Sequence, residues 1–161
     1  MKSEDEAGVE PDDLVWRWHD NLIYSIGFDI GNAQKREWRS DLVLDIDFIA
    51  EWVCDPGEAV GFRVAPATLT FHDVGDLAIS IDYGDSAGRT AITECSIDRV
   101  TRERLEGLRE NWRWSIRLNM PRGSKIDFTA SGFTETLRQP PRLLREQRLP
   151  PSERHLRAAG P

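Results

Sequence analysis

Long apolar runs are missing from this chain of 161 residues. No stretch approaches the roughly 18–20 apolar residues that a membrane-spanning helix needs. The chain begins MKSEDE, and no apolar segment typical of a secretory signal follows. We therefore expect a soluble, cytoplasmic protein. A chain of this length predicts one domain, or one domain with arms, that is large enough to support its own core.

Metal-binding and redox motifs are also scarce. Cys54 and Cys95 are the only cysteines, and a chain of this size does not require that they pair, so we expect free thiols. Zinc and iron sites gather several ligands on one face, but the three histidines and two cysteines form no C-x-x-C, H-x-H or H-E-x-x-H pattern. No glycine-rich phosphate loop is visible either. We predict no metal and no cofactor.

One short motif matches a catalytic pattern but stands in the wrong context. The pentapeptide Gly84–Gly88 (GDSAG) fits G-x-S-x-G, which needs a strand before it and a helix after it. Strands are predicted on both sides here, so we expect a hairpin loop. The only histidine downstream is His155, which lies near the end of the chain. No catalytic residue is assigned.

Alternation of apolar and polar residues is the main pattern that is present. It predicts strands, because strand side chains point alternately to the two faces of a sheet. Apolar rows fill alternate positions in the ranges 22–30, 42–52, 69–71, 77–83, 112–118 and 126–130, with a weaker candidate at 92–97. Turn residues separate these rows. We therefore expect a mainly β protein, either an antiparallel β-sandwich or a strongly curved sheet of seven to eight strands, with one short helix.

The helix is expected where the alternation stops. Asp98 is a suitable N-cap for a helix over residues 99–109, whose apolar side chains would lie on one side. A second helical segment, of one or two turns, is predicted at residues 133–138. Both are short, so we expect them to pack against an edge or end of the sheet.

Composition changes at both ends of the chain. Residues 1–13 carry six acidic side chains and few apolar ones, which is typical of a disordered acidic arm. Residues 14–138 form the predicted β-rich domain. Residues 139–161 hold five of the nine prolines together with many arginines, which favours an extended arm. The leucines of this arm need cover, so it docks either on its own domain or on another chain.

Charge is distributed unevenly. Residues 1–98 hold 21 acidic and seven basic side chains, and residues 99–161 hold 14 basic and seven acidic ones. The two parts therefore carry net charges of −14 and +7, which together give the −7 of the whole chain. Such asymmetry either marks an interaction surface or is partly neutralised when the two parts fold against each other.

A row of carboxylates is the sharpest site candidate. Asp45, Asp47 and Glu51 occupy odd positions of one predicted strand, and alternation would place them on one solvent-facing side. Such a row can simply be hydrated, can meet a basic partner, or can hold a cation or an acid–base pair. Acid–base work would also require burial of one carboxylate to raise its pKa. We take partner binding as the functional hypothesis.

Tryptophans and histidines supply further candidates. Trp16 and Trp18 flank an arginine, and tryptophan is enriched at protein interfaces, so they are predicted either to bind a partner or to close one end of the sheet. Two His-Asp pairs could line a ligand site in a sheet cavity. They are His19 with Asp20 and His72 with Asp73.

A basic face is predicted on two strands within residues 99–161. Arg113, Arg117 and Lys125 alternate with apolar residues and share one side. Nucleic-acid binding needs a basic surface of this kind. The acidic charge of the whole chain opposes such binding, so we do not expect a nucleic-acid partner.

Three stretches carry a resemblance to known proteins. Residues 18–20 (WHD), 42–48 (LVLDIDF) and 65–71 (APATLTF) resemble a group of small uncharacterised bacterial proteins, some of which are similar to immunity proteins of bacterial toxin systems. The resemblance covers residues 16–137. It implies a β-rich cytoplasmic protein that acts by binding. The arm at residues 139–161 has no place in that pattern.

These observations favour a protein-binding module, with a toxin-neutralising or regulatory role and a basic partner. Two alternatives stay open. The first is a small-ligand-binding protein or enzyme with a site in a sheet cavity, and the second is a structural subunit that docks through its C-terminal arm. The sequence leaves the oligomeric state open.

Overall fold

The alternating rows become the strands of one antiparallel sheet in the computed structural model, which describes residues 11–84, 92–107 and 109–154. The strands are β1 (Leu22–Asn32), β2 (Glu37–Val53), β3 (Gly61–His72), β4 (Gly75–Ser80), β5 (Cys95–Arg104), β6 (Trp112–Met120), β7 (Lys125–Ala130), β8 (Gly132–Leu137) and β9 (Arg142–Leu144). The helices are α1 (Pro11–Arg17) and the single turn α2 (Pro151–Arg154), and a 3₁₀ turn spans Ala33–Lys35. The mainly β, antiparallel prediction with a short helix is confirmed.

Two features bear on the ends of the chain. Helix α1 begins at Pro11, inside the predicted acidic arm, and residues 1–10 of that arm lie outside the described residues. Residues 85–88 of the GDSAG pentapeptide and His155 also lie outside them. Among the residues that are described, no helix has the length and apolar character needed to cross a membrane.

The sheet curves strongly because one pair of neighbouring strands, β3 and β8, continues across a short bend as a second pair, β4 and β7. The strand order is β4-β7-β6-β5-β1-β2-β3-β8, with β9 added beside β3, and this path is not closed. β3 leads into β4 and β7 leads into β8, while β3 pairs with β8 and β4 pairs with β7. At the bend, the Ser131 N–H donates to the His72 carbonyl at 2.9 Å. A continuous two-stranded ribbon therefore turns from one half of the sheet to the other.

The concave side of the sheet encloses the main hydrophobic core. Seven strands contribute buried side chains to it. Phe71 packs edge-on against Trp114 and Phe128, with ring centroids 5.0 and 4.7 Å apart, and aromatic pairs of this geometry add about 0.5–1.5 kcal/mol beyond area burial. Leu14 and Trp18, which lie four residues apart, reach from α1 and the turn after it into the same core.

A smaller cluster lies on the opposite, convex face of β2 and β3. Ile49 of β2 and Val64 of β3 are buried there beneath Leu149 of the C-terminal segment. Leu44 and Ile46 point the other way, into the main core, as strand alternation requires. The convex face of this half of the sheet is therefore covered by the end of the chain.

A β-bulge reverses the alternation near the end of β2. Ile49 is paired with Val64, but Glu51 is paired with Arg63, so one extra residue is accommodated in β2. Val64 and Arg63 face opposite sides of β3, and Glu51 consequently faces away from Ile49. Trp52, which the sequence pattern placed in the core, is shifted to the convex face and is 49% exposed.

The predicted helix at residues 99–109 is wrong. β5 spans Cys95–Arg104 and pairs with β6, with register shifts around Ile97. Ile97 and Val100 both face the core because a bulge lies between them. The helix prediction rested on Asp98 as an N-cap and on the spacing of Val100 and Leu105, but Asp98 and Val100 lie within β5 and Leu105 lies just beyond its end.

The second predicted helix is also wrong, because residues 132–137 form β8 and pair with β3. Both cysteines are free, with Cys54 exposed and Cys95 buried, as predicted.

Candidate functional site

Asp47, the central carboxylate of the predicted acidic row, is buried beneath the C-terminal segment. It is fully shielded from solvent and accepts hydrogen bonds from Arg154, the shortest at 2.6 Å, and from the Leu149 N–H at 3.3 Å. Burial raises the pKa of Asp47 above its ordinary value, although the contacts with Arg154 and Leu149 act in the opposite direction. A partner protein has no access to this carboxylate while the segment is in place.

Arg154 links three parts of the fold. Besides Asp47 it binds Glu94, at 2.7 Å, and its guanidinium lies 4.7 Å from the centre of the Tyr24 ring. Burial lowers the pKa of Arg154, but the hydrogen bonds to its two carboxylates outweigh burial, and the pKa lies above its ordinary value. Removing one partner of a buried ion pair typically costs about 3–5 kcal/mol of stability. The C-terminal segment is therefore anchored by charge as well as by apolar contact.

The other two carboxylates of the row also face groups of the same chain. Asp45 accepts a hydrogen bond from Thr68 at 2.8 Å, and Arg138 lies 3.7 Å from the same carboxylate. Glu51 accepts a hydrogen bond from Arg63 at 2.8 Å, on the other face of the sheet. The bulge separates Glu51 from its two neighbours in the row. The three carboxylates therefore do not form one open acidic face.

The C-terminal arm docks on its own domain up to the last described residue. Strand β9 pairs with β3, and its Leu144 is the partner of Phe62. Leu149 then enters the small convex cluster, and α2 delivers Arg154 to Asp47. Of the two docking modes that the sequence left open, the structure shows the intramolecular one for residues 139–154.

The first His-Asp pair lies at the turn after α1. The His19 Nδ1 is in hydrogen-bond contact with the Asp98 carbonyl, and its Nε2 lies 3.6 Å from the Asp20 carboxylate. Asn119 donates to Asp20 at 3.2 Å. These contacts tie the turn to β5 and β6, so the pair connects elements of the fold.

The second His-Asp pair is part of a polar group on the convex face. His72 contacts Asp41 through Nδ1 at 3.2 Å and the Thr134 hydroxyl through Nε2 at 2.8 Å. Asp73 accepts a hydrogen bond from the Ser131 hydroxyl at 2.6 Å. The order carboxylate, imidazole, hydroxyl is the one that hydroxyl-activating triads use. The two histidines share no partner, and the described residues contain no cluster of three or more His, Cys, Asp or Glu that could hold a metal.

The two candidate tryptophans have different environments. Trp18 is fully buried, packs edge-on against Phe133 at 5.2 Å and donates its indole N–H to Glu135 at 2.6 Å. Trp16 is exposed, with its ring edge-on to His19 at 5.3 Å. Trp18 therefore closes one end of the core, and Trp16 is the one of the two that a partner can reach.

Three exposed apolar side chains lie at the end of the β1–β2 hairpin, which we call the hairpin tip and define as residues 28–41. Trp38, Ile30 and Phe28 are 75, 73 and 61% exposed. The ladder between β2 and β3 starts only at Leu42, and β1 pairs with β5 only at its first two residues. The hairpin tip is therefore a two-stranded extension beyond the rest of the sheet.

A groove of about 340 Å³ lies beside the hairpin tip. Its apolar walls come from the tip, from the adjoining residue of β2, from the residue before β4 and from β4 itself, namely Phe28, Ile30, Leu42, Val74 and Leu77. Three carboxylates and one guanidinium stand around it, namely Asp29, Asp41, Asp76 and Arg39. The Ser40 hydroxyl and carbonyl both bond to the Val74 backbone, which fixes the two walls relative to each other.

Sequence reasoning missed the hairpin tip. The alternation in β1 continues to Ile30, so the pattern assigned Phe28 and Ile30 to the core. Alternation reports which side of a strand a residue faces, but it carries no information on where the neighbouring strands end. The structure shows β2 to be 17 residues long, starting five residues before the apolar row that the sequence indicated.

Comparison with known proteins returned no match. The chain matches no protein-family model, and no curated protein and no solved structure is significantly similar to it. The likeness to toxin-immunity proteins stays an expectation from sequence.

Proposed function

We propose that this chain is a protein-binding module and that the hairpin tip is its main contact surface. The observation that carries the proposal is the exposure of Phe28 and Ile30 beside an apolar groove, with Trp38 exposed on the other face of the same projecting hairpin. Large apolar patches on a protein surface mark interaction sites, and tryptophan is enriched among the residues that dominate binding energy.

The charges around the groove favour a basic partner. Asp29, Asp41 and Asp76 stand against the single Arg39, and the whole chain has a net charge of −7. Complementary charge speeds encounter and excludes partners of the same sign. A toxin-neutralising or regulatory role fits such a surface, because a bound module competes with the natural ligand of its basic target.

The test is affinity purification of the tagged protein from its native cells at low salt, followed by binding measurements with the purified partner. We expect Trp38→Ser and Ile30→Ser each to weaken binding at least about tenfold, as central interface residues do. Trp52→Ser is the matched control, because Trp52 is also exposed but lies outside the hairpin tip. Equal losses in all three variants, or no captured partner, would overturn the proposal.

A second candidate function rests on the Asp41, His72 and Thr134 contacts. In this reading the Thr134 hydroxyl attacks an ester or amide carbonyl, and His72 takes its proton and returns it to the leaving group. Water then releases the acyl group, and Asp41 holds the imidazole in place throughout. The distances of 3.2 and 2.8 Å support it.

This candidate is tested by turnover of an activated ester. Thr134→Val and His72→Gln should both abolish turnover above the background rate. Thr136→Val is the control, since Thr136 lies two positions further along the same strand. Turnover that survives Thr134→Val would exclude the hydroxyl as nucleophile.

A further inference from the structure

The convex face of strands β5, β6 and β7 carries a regular grid of polar side chains. Arg99 of β5 is the direct ladder partner of Arg117 of β6, and Arg117 is the direct partner of Lys125 of β7. The core side of β6 is occupied by Trp114, Ile116 and Leu118, so Arg117 and its two partners share the opposite, convex face. Three cationic side chains therefore stand in one line across three adjacent strands.

This arrangement is unfavourable for the fold by itself. Directly opposed residues on neighbouring strands have Cβ atoms about 5 Å apart, and like charges at such positions destabilise the pair. Nearby carboxylates offset the charge repulsion only in part at the two ends of the row, Lys125 and Arg99. Lys125 lies 2.8 Å from Asp127, and Arg99 lies 3.8 Å from Asp98. Arg117, in the middle, is exposed; among the described residues no carboxylate forms a close ion pair with it, and the nearby Asp127, which is paired with Lys125, attracts it only at longer range.

The neighbouring line of the grid is short and polar. Ser115 is the ladder partner of both Thr101 and Asp127, and Asp127 accepts a hydrogen bond from the Ser115 hydroxyl at 2.6 Å. Beyond them, Arg113 is paired with Glu103. A shallow strip of two hydroxyl side chains and one carboxylate thus lies beside Arg117. Such a strip leaves the guanidinium groups open to an anionic ligand.

We infer that this face, defined by Arg99, Arg117 and Lys125, is a second docking surface, and that its ligand is an acidic segment of a partner protein. Guanidinium groups bind carboxylates through two parallel hydrogen bonds, and three cations in line suit an extended chain with several carboxylates. The inference uses no residue of the hairpin tip, which belongs to β1 and β2.

A protein ligand is favoured over a nucleic acid by the short length of the row. Three strands span only about 10 Å across the sheet, which is too short to follow several successive phosphates along a duplex.

The first measurement is of thermal stability, because like charges that are kept for binding lower the stability of the folded protein. Arg117→Gln removes the central like charge, so we expect its melting temperature at low salt to rise above that of the unchanged protein, with a smaller difference at high salt. Arg63→Gln is the control, since Arg63 is an exposed arginine paired with Glu51. An Arg117→Gln melting temperature below that of the unchanged protein would show that Arg117 serves the fold.

The second measurement uses a short poly-glutamate peptide as the probe. We expect binding at low salt that Arg117→Gln weakens about tenfold and Arg63→Gln leaves unchanged. An oligothymidylate of equal charge serves as the competing class. Tighter binding of the oligothymidylate would overturn the choice of a protein ligand, and equal peptide affinity for the two variants would overturn the site itself.

Discussion

Arg154 and its carboxylates show how single residues decide which surface of this protein is available. Asp47 was the centre of the predicted acidic row, yet Arg154 occupies it from the same chain. Arg154 lowers the pKa of both carboxylates that bind it, but the net direction of the pKa shift differs between them. Burial dominates at Asp47 and raises its pKa, whereas at the less buried Glu94 the contacts with Arg154 and Arg148 outweigh burial and the pKa is lowered below its ordinary value.

Glu94 gives a pH prediction with a defined sign. Since its pKa is lower in the folded state, its contribution to stability is complete above its ordinary pKa of 4.5 and is lost as the pH falls through the folded value. We expect Glu94→Gln to be less stable at neutral pH and to lose less further stability below pH 4.5 than the unchanged protein does. Urea unfolding at several pH values measures this.

The control for that prediction is Glu51→Gln. Glu51 forms an exposed ion pair with Arg63, and exposed pairs contribute about 0–1 kcal/mol. Its unfolding curve should therefore follow that of the unchanged protein across the acid range. If the free energy of unfolding fell equally steeply with decreasing pH in Glu94→Gln and in the unchanged protein, the role given to Glu94 would be contradicted.

At the scale of elements, β-bulges separate what the sequence could predict from what it could not. Alternation located most of the strands, because it is imposed by the geometry of every strand residue. A bulge changes that alternation through hydrogen bonds to another strand, which the local sequence does not encode. The bulge in β2 turned Glu51 and Trp52 to unexpected faces, and the one in β5 interrupts the alternation between Ile97 and Val100, close to where a helix was predicted to begin.

The hairpin tip depends on one backbone conformation, and two glycines in β1 allow a matched test. Gly31 has a φ of +73°, and an added Cβ would lie 2.3 Å from the Glu37 carbonyl oxygen. Gly27 has no atom within 4 Å of such a Cβ. We expect Gly31→Ala to cost at least about 1 kcal/mol within the tip, and Gly27→Ala to cost less.

Hydrogen exchange of the amides in residues 28–41 reports this difference directly. Faster exchange confined to those residues in Gly31→Ala, together with weaker binding of the partner, is the expected result. Because the main core contains no side chain from residues 28–41, its slowly exchanging amides should remain protected. Uniformly faster exchange throughout the sheet would show instead that the hairpin tip is coupled to the core.

At the scale of the whole molecule, contacts distant in sequence connect the elements. The fold class follows from alternation and turn residues, so it was predictable. The cover of the convex face was not, since it joins β2 to a segment about one hundred residues later through Leu149 and Arg154. Such pairings carry no short-range pattern. Of the two explanations that the sequence left open for the uneven charge, the contact between Asp47 and Arg154 agrees with the one in which the two parts fold against each other.

The two free thiols make global opening measurable. Cys54 is exposed and Cys95 is 5% exposed within the main core. We expect the folded protein to react with one equivalent of a thiol reagent at once, and with a second only at the rate of opening. Rapid reaction of both thiols in the folded state would contradict the burial of Cys95, and Cys95→Ser identifies the slow group.

The docking of the C-terminal segment has a consequence for biosynthesis. Translation proceeds from the N-terminus, so the strands that bear Asp47 and Ile49 emerge well before Leu149 and Arg154 do. Until residue 154 has left the ribosome, the nascent chain presents an unpaired carboxylate beside uncovered apolar side chains. A product of premature termination would keep that surface, and chaperones or proteases that recognise exposed apolar chain could distinguish it from the finished protein.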